Sequence, residues 1–149
     1  MQHDAKLGAL LGAKGNAIFA IGPRATVYEA VAMMAEKGVG ALLVMEDERL
    51  LGILSERDYT RKVILQGRHS KETRVEEIMT PRVITTTAEE TVEGAMRVMT
   101  ENRIRHLPVM DGARVTGVLS VGDLVKWVIS AQEETIAHLR HYISGGYMS

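Results

Sequence analysis

Residues 52–58 read Gly-Ile-Leu-Ser-Glu-Arg-Asp, and residues 117–123 read Gly-Val-Leu-Ser-Val-Gly-Asp, so the chain contains one motif twice, 65 positions apart. In each copy the apolar residues before the serine are typical of the end of a short strand, and the serine is typical of a helix start. A helix that begins there leaves free backbone N–H groups beside the aspartate carboxylate. Each copy therefore predicts a junction where the helix end can hold a phosphate and the acid can hold a ribose.

The similarity extends well beyond these seven residues. When Thr26 is placed on Thr91, 33 positions align without a gap and 13 of them are identical, which indicates an internal duplication. Each half predicts a short strand, a helix opened by the threonine, two strands joined by a tight polar turn, and a second helix that begins at the serine. The predicted strands are 17–21, 41–45 and 50–54 in the first half and 83–85, 106–110 and 114–119 in the second, and the second helices reach residues 66 and 142.

A β-α-β-β-α unit of roughly sixty residues is too small to bury a sufficient core alone. We therefore expect an α+β fold in which two tandem units pack sheet to sheet with pseudo-twofold symmetry. The expected order is an N-terminal lead-in (1–16) with a short helix at 5–11, a first domain (17–66), a linker (67–78), a second domain (79–130), and a C-terminal helix extension and tail (131–149). Residues 75–79 predict one further helical turn before Pro81.

Composition excludes several classes of function. The 149 residues are 46% hydrophobic and 25% charged, with a formal net charge of −1, so neither a nucleic-acid partner nor a basic membrane contact is predicted. No apolar run approaches the ~20 residues of a transmembrane helix, and the first residues are too weakly apolar for a signal peptide. The absence of cysteine excludes disulfides, thiol catalysis and thiolate zinc sites. We expect a cytoplasmic protein.

These motifs together resemble a pair of cystathionine β-synthase (CBS) domains, the arrangement called a Bateman module, as in stand-alone bacterial CBS domain proteins. The resemblance covers about residues 17–66 and 79–130, and its most telling parts are 103–109, 117–120 with Asp123, and the linker 75–80. It implies a regulatory protein rather than an enzyme, with AMP, ADP or ATP as ligand, as in most of the family, or NAD(H) or S-adenosylmethionine, as in some of its members. It also implies a homodimer, and an effector protein of unknown identity, because no catalytic domain is attached.

The resemblance assigns roles to particular side chains. Asp58 and Asp123 would accept hydrogen bonds from the two ribose hydroxyls, with Ser55 and Ser120 near the sugar or phosphate. The remaining predicted binding residues are Arg57, Ile18, Ala20 and Val39 for the first crevice, and Arg103, Arg105, His106, Pro108, Ile84, Thr85 and Ile104 for the second. The two crevices are expected to be inequivalent, because Gly38 and Gly40 stand in the first half where Arg103 and Arg105 stand in the second.

Each of these residues also has a structural explanation. Ser-x-x-Asp before an apolar helix is a capping box, exposed arginines are often only solvated, and the apolar positions fit ordinary core packing. Arg57, in the first turn of a helix, opposes the helix dipole, and an anionic ligand would relieve that misfit. The alternative function is therefore a structural dimerisation module with vestigial nucleotide sites. His138 and His141 are predicted to be surface residues, because the nearby sequence supplies no further metal ligand.

Overall fold

The computed structural model describes residues 5–15, 17–141 and 143. The elements in chain order are α1 (Leu7–Lys14), β1 (Ala20–Ile21), α2 (Val27–Lys37), β2 (Ala41–Glu46), β3 (Arg49–Ser55), α3 (Glu56–Tyr59), a π-helical turn (Thr60–Ile64), a 3₁₀ turn (Ser70–Glu72), α4 (Val75–Ile78), α5 (Val92–Asn102), β4 (His106–Asp111), β5 (Arg114–Ser120) and α6 (Val121–His141). The chain forms two compact units. The first unit comprises 17–85 and 110–116, and the second unit comprises the described residues of 1–16, 86–109 and 117–149.

The first unit contains a three-stranded sheet in the order β1-β2-β3. β2 and β3 are antiparallel, with Ala41 opposite Ser55, and β1 is parallel to β2. The hairpin turn consists of Asp47 and Glu48, which both have positive φ, as a two-residue turn of type I′ requires. The predicted hairpin of the first half is confirmed, and its register fixes Ser55 at the sheet edge where α3 begins.

In the second half of the chain, β4 and β5 form a two-stranded sheet, and the strand predicted at 83–85 is wrong. In its place an isolated parallel bridge joins Thr86 to Val109, with the Thr86 N–H donating to the Pro108 carbonyl at 2.9 Å. In the first unit the N–H of Leu43 donates to the Phe19 carbonyl at 3.1 Å. The residue that corresponds to Leu43 in the second half is Pro108, which has no N–H to donate, so a strand bond is missing there. The first strand, predicted at 17–21, is also shorter than expected, at Ala20–Ile21.

The duplicated residues form equivalent cores. Seven of the identical pairs are apolar, and Met45 and Met110 are half-buried. In the other six pairs every member is at most 3% exposed: Val27 and Val92, Ala30 and Ala95, Met34 and Met99, Leu42 and Leu107, Val44 and Val109, and Leu54 and Leu119. The helix starts are also duplicated, because the Thr26 hydroxyl accepts from the Glu29 N–H and the Thr91 hydroxyl accepts from the Gly94 N–H. The predicted threonine caps are therefore confirmed, and each α+β repeat has the expected order of elements apart from the missing strand.

The N-terminal helix α1 is the counterpart of the linker turn α4. The Val92 N–H donates to the Ala5 carbonyl at 2.8 Å, and the Val27 N–H donates to the Thr73 carbonyl at the same distance. Leu7 in α1 and Val75 in α4 are both fully buried. α1 is therefore an integral part of the second unit, although the rest of that unit consists of residues after position 85. Its bounds also differ from the predicted 5–11, since it continues through Gly12 to Lys14.

The two duplicated glycines make room for these segments. A Cβ on Gly52 would lie 2.7 Å from Met79 Sδ and 2.9 Å from the Thr80 carbonyl oxygen, and a Cβ on Gly117 would lie 2.6 Å from Leu11 Cδ2. Contacts below about 3 Å are too short for carbon. A larger residue at position 52 would therefore push the backbone at Thr80 away from β3, and one at position 117 would displace the Leu11 side chain. The repeated glycine thus allows α1 and the α4 region to pack against β5 and β3.

The two closing helices differ greatly in length. The first, predicted at 55–66, consists of four α-helical residues followed by a π-helical turn that ends at Ile64. The second, predicted at 120–142, is the 21-residue helix α6. None of the helices in the described part of the chain combines the length and apolarity needed to cross a membrane.

Candidate functional site

The first junction is the turn from β3 into α3, and Asp58 is its central side chain. The Asp58 Oδ2 atom accepts from the Ser55 N–H at 2.9 Å and from the Ser55 hydroxyl at 3.0 Å, while the Asp58 N–H donates to the same hydroxyl at 3.2 Å. This is the predicted capping box. The other oxygen, Oδ1, lies 3.1 Å from Lys62 Nζ and accepts from the Thr80 hydroxyl at 3.4 Å. One oxygen therefore caps the helix, and the other meets donors that the cap does not require.

The second junction, from β5 into α6, repeats the cap with a different cation. The Asp123 Oδ2 atom accepts from the Ser120 N–H at 2.7 Å, and the Asp123 N–H donates to the Ser120 hydroxyl at 3.1 Å. Lys14 Nζ lies 2.6 Å from the same Oδ2 and donates to the Val118 carbonyl at 2.7 Å. Asp123 Oδ1 makes no hydrogen bond with the residues that the structure describes.

The cation beside each aspartate comes from a different part of the fold. Lys62 stands four residues after Asp58 in the same helical segment, where side chains are neighbours. The corresponding position in α6 is Trp127, whose Nε1 is buried without a partner in the described structure. Lys14 reaches Asp123 from α1, 109 positions away in the sequence. The two junctions thus keep the same carboxylate and the same cap but are not equivalent.

Both carboxylates keep some contact with solvent. The side chain of Asp58 is 13% exposed and that of Asp123 is 25% exposed. Burial acts to raise the pKa of Asp123, but the hydrogen bonds from Lys14 and Ser120 outweigh it, so the pKa lies below its ordinary value. Asp123 is therefore ionised at neutral pH and able to accept hydrogen bonds from a ligand.

Two backbone hydrogen bonds bring further predicted residues to the junctions. The Glu56 N–H donates to the Gly40 carbonyl at 3.1 Å, and the Val121 N–H donates to the Arg105 carbonyl at 2.9 Å. Val39, next to Gly40, is half-buried beside the first junction. The register of β1 on β2 also places Ile18 level with Ala41, opposite Ser55, while Ala20 pairs with Leu43 further along.

The other predicted residues lie in varied surroundings. Arg57 and Arg105 are exposed, Arg103 is exposed at the C-cap of α5, and His106 is half-buried at the start of β4. Pro108 is buried, and its carbonyl is used by Thr86. Ile84 and Thr85 belong to the first unit, although both were predicted for the second crevice. His138 and His141 are exposed on α6.

Two cavities are formed by other sets of residues. A cleft of about 470 Å³ in the first unit is lined by Arg49, Arg82 and Thr85 among others. A groove of about 160 Å³ in the second unit lies between α5 and α6 and is lined mainly by apolar side chains, Ile104 among them. Neither of these two cavities is lined by Asp58 or Asp123.

Three donors at the junctions were not predicted from the sequence: Lys62, Thr80 and Lys14. Lys62 was detectable, because a lysine four residues after an aspartate in a predicted helix indicates an ion pair. The contacts of Thr80 and Lys14 were not detectable, because each residue is distant from its aspartate in the sequence and meets it only in the folded chain.

Comparison with known proteins agrees with the duplication. The family model described as the CBS domain matches residues 16–64 and 75–130. The mitochondrial CBS domain-containing protein CBSX3 of Arabidopsis thaliana is 48% identical over 127 residues, which are 82% of this chain and 62% of that protein. The chain thus spans about three fifths of the length of this plant relative.

Solved structures show the same fold. A protein with CBS domains from Burkholderia ambifaria MC40-6 superposes with a TM-score of 0.84 at 47% identity, over 86% of this chain and 96% of that chain. The CBS domain pair of protein MJ0100, solved in complex with 5′-methylthioadenosine and S-adenosyl-L-methionine, superposes with a TM-score of 0.76 at 22% identity, over 85% of this chain and 98% of that chain. With two matched copies and these structural neighbours, the chain belongs to the CBS domain family, as a tandem pair.

Proposed function

We propose that this chain is a regulatory module that binds an adenine nucleotide at each of its two junctions and transmits the occupancy to an effector protein. AMP, ADP and ATP are the first candidate ligands, followed by NAD(H) and S-adenosylmethionine. The proposal implies a sensor of energy or redox state that acts as a homodimer in the cytoplasm and catalyses no reaction itself.

The proposal is based on the exposure and the hydrogen bonds of the Asp58 and Asp123 carboxylates. Each carboxylate is ionisable, partly exposed and placed at a helix N-terminus, where backbone N–H groups favour an anion. At Asp58, Lys62 and Thr80 donate to the oxygen that does not cap the helix, and at Asp123 that oxygen has no partner among the described residues. The two hydroxyls of a ribose are donors of the same kind, so they suit these positions.

The differences between the junctions support unequal affinities. A ligand at Asp58 has to compete with Lys62 and Thr80 for Oδ1. At Asp123 it meets the ammonium of Lys14 and an Oδ1 that no residue of the described ranges occupies. The ammonium can also attract a phosphate group. We therefore expect two binding events with different dissociation constants.

The test separates ligand binding from helix capping. Glutamate serves a capping box as well as aspartate, so Asp58→Glu and Asp123→Glu are expected to leave stability nearly unchanged. The longer side chain displaces the carboxylate from a bound ribose, and the loss of charge-assisted hydrogen bonds of about 1.5–3 kcal/mol should weaken AMP binding roughly 10- to 150-fold at the altered junction alone. Calorimetric titration of AMP, ATP and NAD measures this. The exposed Asp111→Glu is the matched control, with no expected effect.

The competing function is a structural dimerisation module with vestigial sites. The complete capping hydrogen bonds favour it, because they give both aspartates a role without any ligand. This alternative predicts no heat with any of the three nucleotides, at protein concentrations that would detect millimolar affinity. That result would end the sensor proposal.

A further inference from the structure

The chain separates from strand β3 just after Thr80. The Thr80 N–H donates to the Ile53 carbonyl at 2.9 Å and the Ile53 N–H donates to the Thr80 carbonyl at 3.0 Å, which forms an antiparallel bridge. The residues after Thr80 therefore run toward the start of β3, where Arg49 stands. Among the described residues, no backbone hydrogen bond joins this segment to β3 beyond Thr80. The cleft of about 470 Å³ in the first unit is lined by residues of both the segment and the strand.

Two of the side chains that line this cleft are cationic, and none of them is acidic. The cationic ones are Arg49, at the start of β3, and Arg82, in the segment that follows Thr80. Apart from Thr85, the other lining residues are apolar: Leu50, Pro81, Val83, Met110 and Ala113. A cavity of several hundred cubic ångströms with mainly apolar walls and a few polar groups is typical of a site for a small molecule.

Neither guanidinium group of the cleft is neutralised by a described residue. Glu46 stands opposite Arg49 in the hairpin, but its carboxylate lies 3.1 Å from Arg24 Nη2 instead. Arg49 and Arg82 make no ion pair and no side-chain hydrogen bond with the residues that the structure describes. A cleft lined by charges of one sign attracts and concentrates ions of the opposite sign. The pair of arginines therefore indicates an anionic ligand.

The arginine pair is not part of the duplicated pattern. Arg49 is matched by Arg114 in the second repeat, but the position that corresponds to Arg82 is Ala17. The cleft also lacks the chemistry of the two junctions, because no carboxylate lines it and the hydroxyls of a ribose would find no acidic acceptor there. It is therefore a different kind of site from the junctions, and it occurs in the first unit without a counterpart in the repeat.

We propose that this cleft binds a small phosphate monoester with an apolar body, with the phosphate on Arg49 and Arg82 and the body against Leu50, Val83 and Met110. Guanidinium groups bind phosphate oxygens through paired hydrogen bonds, and two of them match the charge of about −1.5 to −2 that a phosphate monoester carries at neutral pH. The flexible methionine side chain can adapt to the shape of the apolar body. The proposal does not depend on nucleotide binding at the two junctions.

The first experiment locates the bound ligand by backbone amide NMR of the full chain. The probe is phenyl phosphate, compared with benzyl alcohol as its neutral match and with inorganic phosphate as the head group alone. Phenyl phosphate should shift the amide signals of Leu50, Val83 and Met110 in a saturable way, and it should bind at least about ten-fold more tightly than either match. Equal binding of either match, no saturation by about 10 mM, or shifts at Ser55 and Ser120 in place of the cleft would each overturn the proposal.

The second experiment tests the arginines. Arg82→Gln removes one guanidinium at an exposed position and should weaken phenyl phosphate binding at least about ten-fold. The control Arg61→Gln removes the same charge at an exposed position outside the cleft and should leave binding unchanged. Equal losses in the two variants would reduce the effect to net charge and overturn the proposal. Asp58→Glu and Asp123→Glu should leave phenyl phosphate binding unchanged, so a failure of the nucleotide proposal is distinguished from a failure of this one.

Discussion

Arg103 is the residue whose substitution best separates stability from ligand binding. It ends α5 in the left-handed conformation, with φ 53° and ψ 42°. Gly38 occupies the corresponding place after α2, with φ 66° and ψ 36°. The helix-ending hydrogen bond is the same in both, from the Ile104 N–H to Met99 and from the Val39 N–H to Met34, each at 3.0 Å. The first repeat thus has glycine at this position, which readily adopts the left-handed conformation, whereas the second repeat has arginine.

The size of the effect follows from this comparison. The left-handed conformation costs a residue with a Cβ roughly 1–2 kcal/mol, and the greater freedom of unfolded glycine cancels about half of the gain from removing that cost. Arg103→Gly should therefore be about 0.5–1 kcal/mol more stable than Arg103→Ala, which lacks the same side chain but keeps the strain. For a chain of this length the difference corresponds to roughly 1–4 °C in Tm.

Thermal unfolding and AMP titration of both variants provide the test. If the guanidinium contacts phosphate, both variants should lose AMP affinity equally, by roughly 10-fold or more, because both lack it. Gly38→Ala is the mirror control. Its Cβ would meet no atom within 4 Å, so it should lose the stability that Arg103→Gly gains over Arg103→Ala. Equal Tm values for the Gly and Ala variants at 103 would refute the strain argument, and unchanged AMP binding would refute the phosphate role.

Two further predictions concern α1. Leu7→Ala should lower the free energy of unfolding by about 2–5 kcal/mol, because Leu7 is fully buried. The control Leu65→Ala, at a 70% exposed position, should change the free energy of unfolding by less than about 0.5 kcal/mol. Urea denaturation measures both, and equal effects would contradict the integral role of α1. The pKa of Asp123 lies below its ordinary 3.8, so its ionised form stabilises the fold above that value, and this contribution is lost as pH falls through the folded-state pKa. Lys14→Met removes the ammonium partner, so the variant should lose less stability than the wild type between about pH 6 and about pH 3. Parallel decreases in the urea midpoints of the two proteins would show that Lys14 does not set this pKa.

Local patterns in the sequence predicted the local structure well. Thr26 and Thr91 cap their helices, Asp47 and Glu48 form the hairpin turn, and Asp58 completes its capping box as the spacing indicated. Each of these features depends on residues within a few positions of one another, so periodicity and residue type are sufficient to predict them. The strand predicted at 83–85 does not form, because Pro108 in the neighbouring strand β4 lacks the N–H that Leu43 supplies in the first half.

The sequence by itself determined that the chain is duplicated, that both halves share one α+β order, and that each ends in a strand-to-helix junction with an aspartate. Only the tertiary structure decided which segment completes each unit and which cation meets Asp123. α1 lies in the second unit, and Lys14 reaches Asp123 across 109 positions. A cap or a turn is set by the interactions of residues that are adjacent in the sequence. A contact between distant segments depends instead on how those segments pack in the folded chain. For α1 this packing involves Leu7, Leu11 and Gly117, and no local pattern in the sequence predicts it.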